Sequence, residues 1–87
     1  MNKLIFSQNA WEDYLYWQSQ DIKTLKRINQ LIKDIHRNGL AAGIGKPEPL
    51  RHLKAWSCCI DHTNRLVFNL DDQQNIYILA CRGHYEE

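Results

Sequence analysis

The stretch Trp56-Ser57-Cys58-Cys59-Ile60-Asp61, His62-Thr63-Asn64, Arg65-Leu66-Val67-Phe68-Asn69-Leu70 decides the fold of this chain. Two runs of alternating character flank three residues suited to a turn, the pattern of an antiparallel hairpin. If Asp61 opposes Arg65 across that turn, then Ser57, Cys59, Asp61, Arg65, Val67 and Asn69 share one face. Trp56, Cys58, Ile60, Leu66, Phe68 and Leu70 share the other, because side chains alternate along a strand. The second set is apolar and should meet helices. The first is polar and should line an open face. A slip of one residue would exchange the faces, so register is the sensitive point.

Downstream, Asp71 to Asn75 forms a turn and Ile76 to Arg82 a last strand, completing a three-stranded antiparallel meander. Upstream, Gly39 to Pro49 reads as a loop holding three glycines and both prolines. Before it, Asp21 can cap a helix from Ile22 to about Arg37, with Gly39 at its C-terminal cap. Ile22, Leu25, Ile28, Leu31, Ile32 and Ile35 fall on one half of its wheel, and Lys23, Lys26, Arg27, Lys33 and Arg37 on the other. Earlier still, Lys3 to Phe6 is a short strand. Ser7 or Asn9 can cap a first helix with Trp11, Tyr14, Leu15 and Gln18 on one face. The expected fold is α+β: a short N-terminal strand, then two helices packed on an antiparallel sheet that the C-terminal meander completes. Residues 1–87 form a single domain.

Composition narrows the class. At 87 residues, about 60–65% of the unfolded surface can be buried, so the core is modest. Eleven Lys and Arg face ten Asp and Glu, so net charge implies no partner. The distribution does: Lys23, Lys26, Arg27, Lys33, Arg37, Lys46, Arg51 and Lys54 are opposed only by Asp34 and Glu48 over that span. Such a basic middle suits a polyanion, although a solvated helix face would look the same. Cys58, Cys59 and Cys81 are odd in number with two adjacent, unlike a secreted disulfide framework. Neither a signal peptide nor a membrane-length apolar run is seen, so a cytoplasmic location is expected.

The residues able to do chemistry are dispersed: Lys46, Glu48, Arg51, Arg65, Arg82, His84 and Tyr85. A carboxylate, an imidazole and a guanidinium suffice for RNA cleavage with neither metal nor cofactor. The carboxylate removes the 2′-hydroxyl proton, the cation stabilises charge on the phosphate, and the imidazolium protonates the leaving 5′-oxygen. Each residue also has a plainer reading. Glu48 can be a loop carboxylate, Arg65 can pair with Asp61, Tyr85 can pack over the sheet edge, and Arg82 can support structure.

Four segments carry a family resemblance: GKPEPLRH (45–52), WSCCI (56–60), NRLVF (64–68) and ACRGHY (80–85). Together with LIFSQNAWEDYLYWQSQD (4–21) and INQLIKDIHRNG (28–39), they resemble the YoeB/Txe family of bacterial toxins, a branch of the RelE superfamily. The resemblance implies a toxin of a type II toxin–antitoxin pair that enters the ribosomal A site and cuts mRNA. It implies a cognate antitoxin, the 70S ribosome and mRNA as partners, operator DNA only through the antitoxin complex, and a dimer or larger toxin–antitoxin assembly, with no membrane role. By position, the general base falls on Glu48, the phosphate-stabilising arginine on Arg65, the general acid on His84 and a substrate-holding aromatic on Tyr85. Lys46 and Arg51 match flanking basic positions. Arg82 and the helix cations Lys23, Lys26, Arg27, Lys33 and Arg37 complete the expected RNA contacts.

Two departures stand out. Cys58 and Cys59 replace two arginines of the family's usual WSRRI. Parity puts Cys59 on the face of Arg65, where loss of a charged donor costs about 10²–10³ in rate. Glu86 and Glu87 follow the usual end of the family; they repel a phosphate backbone yet favour a protonated His84. Both departures motivate an alternative: a toxin-fold binding module, weakened or inactive in cleavage, that retains antitoxin and ribosome binding.

Overall fold

The computed structural model describes residues 2–41, 43–51 and 53–83. His84 and Tyr85, the expected general acid and substrate-holding aromatic, lie outside the described residues, as do Glu86 and Glu87.

Ser7 starts the first helix. Its backbone is extended and its Oγ accepts the Ala10 N–H at 3.0 Å, the arrangement that satisfies an otherwise orphaned helix donor. Helix α1 then spans Gln8–Gln20 and α2 spans Ile22–Asn38. Asp21 serves both. Its N–H closes α1 on the Trp17 carbonyl, and its carboxylate caps α2 by accepting the N–H groups of Lys23 and Thr24. Hydrogen bonds from the Thr24 hydroxyl and N–H hold the Asp21 carboxyl below its ordinary pKa. Gly39 ends α2 as expected and leads into a 3-10 turn, Gly39–Ala41.

Among the described residues, five strands form one sheet: β1 (Leu4–Phe6), β2 (Glu48–Pro49), β3 (Trp56–Cys59), β4 (Arg65–Leu70) and β5 (Ile76–Ala80). Their order is β1-β5-β4-β3-β2. The α+β class, the layering and the antiparallel β3-β4-β5 meander agree with expectation. Two details go beyond it. β1 lies parallel to β5, pairing Leu4 with Ile76 and Phe6 with Ile78, so the sheet is mixed. Glu48–Pro49, read as loop, adds a two-residue edge strand to β3. Proline is tolerated there because an edge strand need not offer every N–H.

Register differs from expectation in a harmless way. Cys59, not Asp61, lies opposite Arg65, and Ser57 lies opposite Val67. The shift is two residues, which preserves the faces because side chains alternate with period two. Asp61 belongs to the turn, where its carboxylate accepts the N–H groups of Thr63 and Asn64 and the Asn64 side-chain amide. The Asp61–Arg65 pairing is thereby replaced.

Cys58, Leu66, Phe68, Ile76 and Ile78 are fully buried with Ile28, Leu31 and Ile35 of α2. The α1 face requires correction. Ala10 and Trp17 are its buried residues, whereas Trp11 and Leu15 are 46% and 42% exposed. Trp17 is fixed by its indole N–H, which donates to the Cys81 carbonyl at 2.8 Å. Trp11 stacks on Tyr14 and meets Phe6 edge-on, forming an aromatic group at the rim of the core. Among the described residues, no helix is long and apolar enough to cross a membrane.

Candidate functional site

Glu48 is exposed on β2, and three features of the preceding loop place it there. The Asp34 carboxylate of α2 accepts the Ile44 N–H at 2.9 Å and the Asn38 amide at 2.8 Å, and these bonds hold its pKa low. Gly45 is buried between α2 and β3. A Cβ there would lie 2.6 Å from the Cys58 Cβ and 2.7 Å from the Leu31 Cδ2, so only glycine allows the approach. Lys46 then takes φ +49 immediately before Pro47, a conformation disfavoured for a non-glycine residue and for one preceding proline. Beyond β2, the Leu50 N–H donates to the Ala55 carbonyl, closing a loop on which Arg51 is exposed.

Glu48 pairs directly with Ser57 of β3, so their side chains share a face. Ser57 is buried, and its Oγ accepts the Arg65 Nε–H at 2.9 Å. Glu48, Ser57 and, diagonally across β4, Arg65 thus share one face of the sheet. The adjacent cysteines point to opposite faces. Cys58 is buried beneath Gly45, and burial pushes its thiol up to about 12. Cys59 is exposed opposite Arg65, and its thiol donates to the Asp61 carbonyl at 3.1 Å.

The approach to His84 is held from two sides. The Asp13 carboxylate accepts the Cys81 N–H at 3.0 Å, while Trp17 holds the Cys81 carbonyl. At the next turn of chain, the Gly83 N–H donates to the Asn64 Oδ1 at 2.7 Å, and the Arg65 N–H donates to the Gly83 carbonyl at 3.0 Å. Gly83 has φ +88, which its lack of a Cβ permits. The main chain is therefore anchored beside Arg65 immediately before His84. A bulge at Val67/Phe68 contributes: Val67 pairs with Ala80 and Phe68 with Ile78, so Leu79 is extra on β5. Its carbonyl accepts the Ser7 hydroxyl and the Asn9 amide. A bulge redirects the strand that carries it.

The remaining expected RNA contacts separate. Lys46 and Arg51 flank Glu48 and are exposed. Lys23, Lys26, Lys33 and Arg37 are exposed along α2. Lys33 borders an apolar cavity of about 430 Å³ with Leu4, Phe6 and Trp11, while Arg37 lines a separate cleft that also includes Asp71 and Asp72. Arg27 alone of these meets β3, its Nη2 lying 3.5 Å from the Cys59 carbonyl. The Arg82 guanidinium lies over the Tyr16 ring of α1, 3.6 Å from the centroid. That contact is a cation–π interaction with the helical layer.

Sequence reasoning placed Ser57 on the correct face but gave it no task, and it overlooked Asn64 and Asp34. Their contacts depend on register and on a loop–helix meeting that no local pattern encodes.

The family described as "YoeB-like toxin of bacterial type II toxin-antitoxin system" matches residues 6–85. Toxin YoeB of Escherichia coli K12 is 48% identical over 85 residues, covering 95% of this chain and 99% of the relative. The YoeB dimer from Staphylococcus aureus superimposes with a TM-score of 0.87 at 46% identity, covering 97% of this chain and 98% of that one. The YoeB-YefM complex from the same organism gives 0.86 at 44% identity, covering 98% and 99%. With the fold and the near-complete coverage in agreement, the chain belongs to the YoeB family of bacterial type II toxin–antitoxin toxins.

Proposed function

We propose that this chain is a ribosome-dependent mRNA endonuclease that acts in the A site of the 70S ribosome and is restrained by a cognate antitoxin. The observation that carries this reading is that Glu48, Ser57 and Arg65 share one face, with Gly83 tied to the Arg65 N–H just before His84. Glu48 removes the proton from the 2′-hydroxyl, whose oxygen attacks the adjacent phosphorus. Arg65 stabilises the charge that builds on the phosphoryl oxygens. His84 protonates the departing 5′-oxygen, and Tyr85 holds the substrate. A 2′,3′-cyclic phosphate and a 5′-hydroxyl result, with every proton accounted for and no metal required. Acid–base assistance of this type is worth about 10²–10⁴ in rate. Lys46 and Arg51 beside Glu48, and Arg27 beside Cys59, supply nearby positive charge for the RNA backbone.

The S. aureus complex with YefM supports an antitoxin partner, and the S. aureus dimer supports self-association. Operator DNA is then reached through the antitoxin complex, and the work is done in the cytoplasm. The test is mRNA cleavage in a reconstituted translation system, with and without ribosomes, comparing wild type with His84→Ala. Ribosome-dependent cuts that vanish in the variant are expected. Cuts that persist unchanged in the variant would refute the assignment.

The exposure of Cys59 opposite Arg65 favours a second reading, a binding module with weakened cleavage. Cys59→Arg places a cation on that face and should raise cleavage by about tenfold or more. An unchanged rate would remove Cys59 as the cause of any weakness.

A further inference from the structure

Arg65 can meet a phosphate in two ways. A guanidinium offers a side-on pair of donors, Nε and one Nη, or an end-on pair, the two Nη groups. Here the Nε–H is already engaged by Ser57 at 2.9 Å. Ser57 is 3% exposed and sits mid-face, paired with Glu48 on one side and Val67 on the other. A buried hydroxyl so placed is costly to leave unpaired, which makes its bond to Arg65 a strong preference of the folded state. Among the described residues, Arg65 makes no other side-chain hydrogen bond, and Asp61 is satisfied within its own turn.

We infer that Ser57 is a positioning residue: it holds Arg65 by Nε so that the scissile phosphate is met end-on by Nη1 and Nη2. This rests on the endonuclease reading and adds the geometry of its phosphate contact. Because the guanidinium is planar, a bond at Nε sets the plane as well as the reach of the fork. Without the hydroxyl, Arg65 keeps its charge and loses its aim. The consequence falls on the chemical step and leaves ribosome binding largely unchanged.

The test is single-turnover cleavage on programmed ribosomes by wild type, Ser57→Ala, Ser57→Thr, Arg65→Lys and the double variant Ser57→Ala/Arg65→Lys. Ser57→Ala should slow cleavage about tenfold, in line with losing one hydrogen bond to a charged group, with the apparent ribosome affinity little changed. Ser57→Thr, which keeps the hydroxyl on a strand-compatible side chain, should restore most of the rate. Lysine has no Nε–H of this kind, so Ser57→Ala should have no further effect in the Arg65→Lys background. The Arg65 Nε–H resonance in ¹⁵N NMR should be protected from exchange in wild type and in Ser57→Thr, and lose protection in Ser57→Ala. An equal loss in both arginine and lysine backgrounds, or a loss confined to ribosome affinity, would overturn the inference. So would an Nε–H in Ser57→Ala as protected as in wild type, a readout that needs only folded protein. Failure of the endonuclease reading itself looks different: folded wild type would then make no cuts on programmed ribosomes.

Discussion

The helix-covered face of the sheet holds Leu66, Phe68, Ile76 and Ile78, all fully buried against α2. The opposite face holds Ser57 bonded to Arg65, with Glu48 and Cys59 exposed beside them. The two faces alternate along the same strands, one residue apart, yet they answer to different forces. One gains stability from removing apolar surface from water and tolerates loss of volume badly. The other keeps charged groups near solvent and depends on the direction of a few hydrogen bonds. Stability and chemistry are thus separated by the pleat itself.

The sharpest way to break this comparison is at Glu48. Glu48→Ala should reduce ribosome-dependent cleavage by about 10²–10⁴ while the urea midpoint stays near wild type. A large fall in the midpoint would mean that the open face also carries the fold. The mirror-image change is Phe68→Ala, which should cost about 3–5 kcal/mol in urea unfolding, much of the stability of a small domain. A loss below about 1 kcal/mol would show that the core relaxes around the cavity.

Gly45→Ala tests the join between the two faces. Its new Cβ meets Cys58 and Leu31 closer than van der Waals contact, so α2, β3 or the loop must shift. About 1–3 kcal/mol of stability should be lost. Cleavage should fall as well, because the same loop delivers Glu48. Stability lost with cleavage intact would separate the loop's packing from its role in placing Glu48.

The smallest expected effect is on acid stability. Hydrogen bonds from Ile44 and Asn38 lower the pKa of Asp34 from 3.8. A depressed folded pKa contributes stability above the unfolded value, and that contribution is lost as pH falls through the folded one. Stability should therefore decline as pH drops below about 4, with Asp21 and Asp71 adding to the slope in the same direction. Asp34→Asn should flatten this acid limb in urea titrations at successive pH values. An unchanged limb would mean that the loop anchor is not charge-dependent.

Much of this was legible in the chain. Ser7 and Asp21 announce the helix starts because a short polar side chain satisfies orphaned N–H groups locally. The isoleucine and leucine spacing of α2 gives its buried face, Ile22 excepted, which is 52% exposed at the first turn. The α1 face was less legible because Trp11, Tyr14 and Leu15 are as apolar as Trp17. Only the carbonyl of Cys81, 64 residues away, selects Trp17 for burial. Glu48 and Arg65 came from motif resemblance and the face of Arg65 from strand parity, whereas Glu48, read as loop, receives its face only by pairing with Ser57.

The sequence by itself determined the order of the helices and of every strand but β2, the caps and which alternating set of the hairpin faces the helices. These rest on interactions within a few residues, and parity survives a register shift of two. Tertiary structure alone decided that β1 joins β5 in parallel, that Cys59 rather than Asp61 faces Arg65, and that Ser57 takes the Arg65 Nε–H. It also decided that the Arg82 guanidinium lies over the Tyr16 ring. Each of these is a meeting of groups distant in sequence or sensitive to register, chosen by the packing of the whole sheet rather than by local preference.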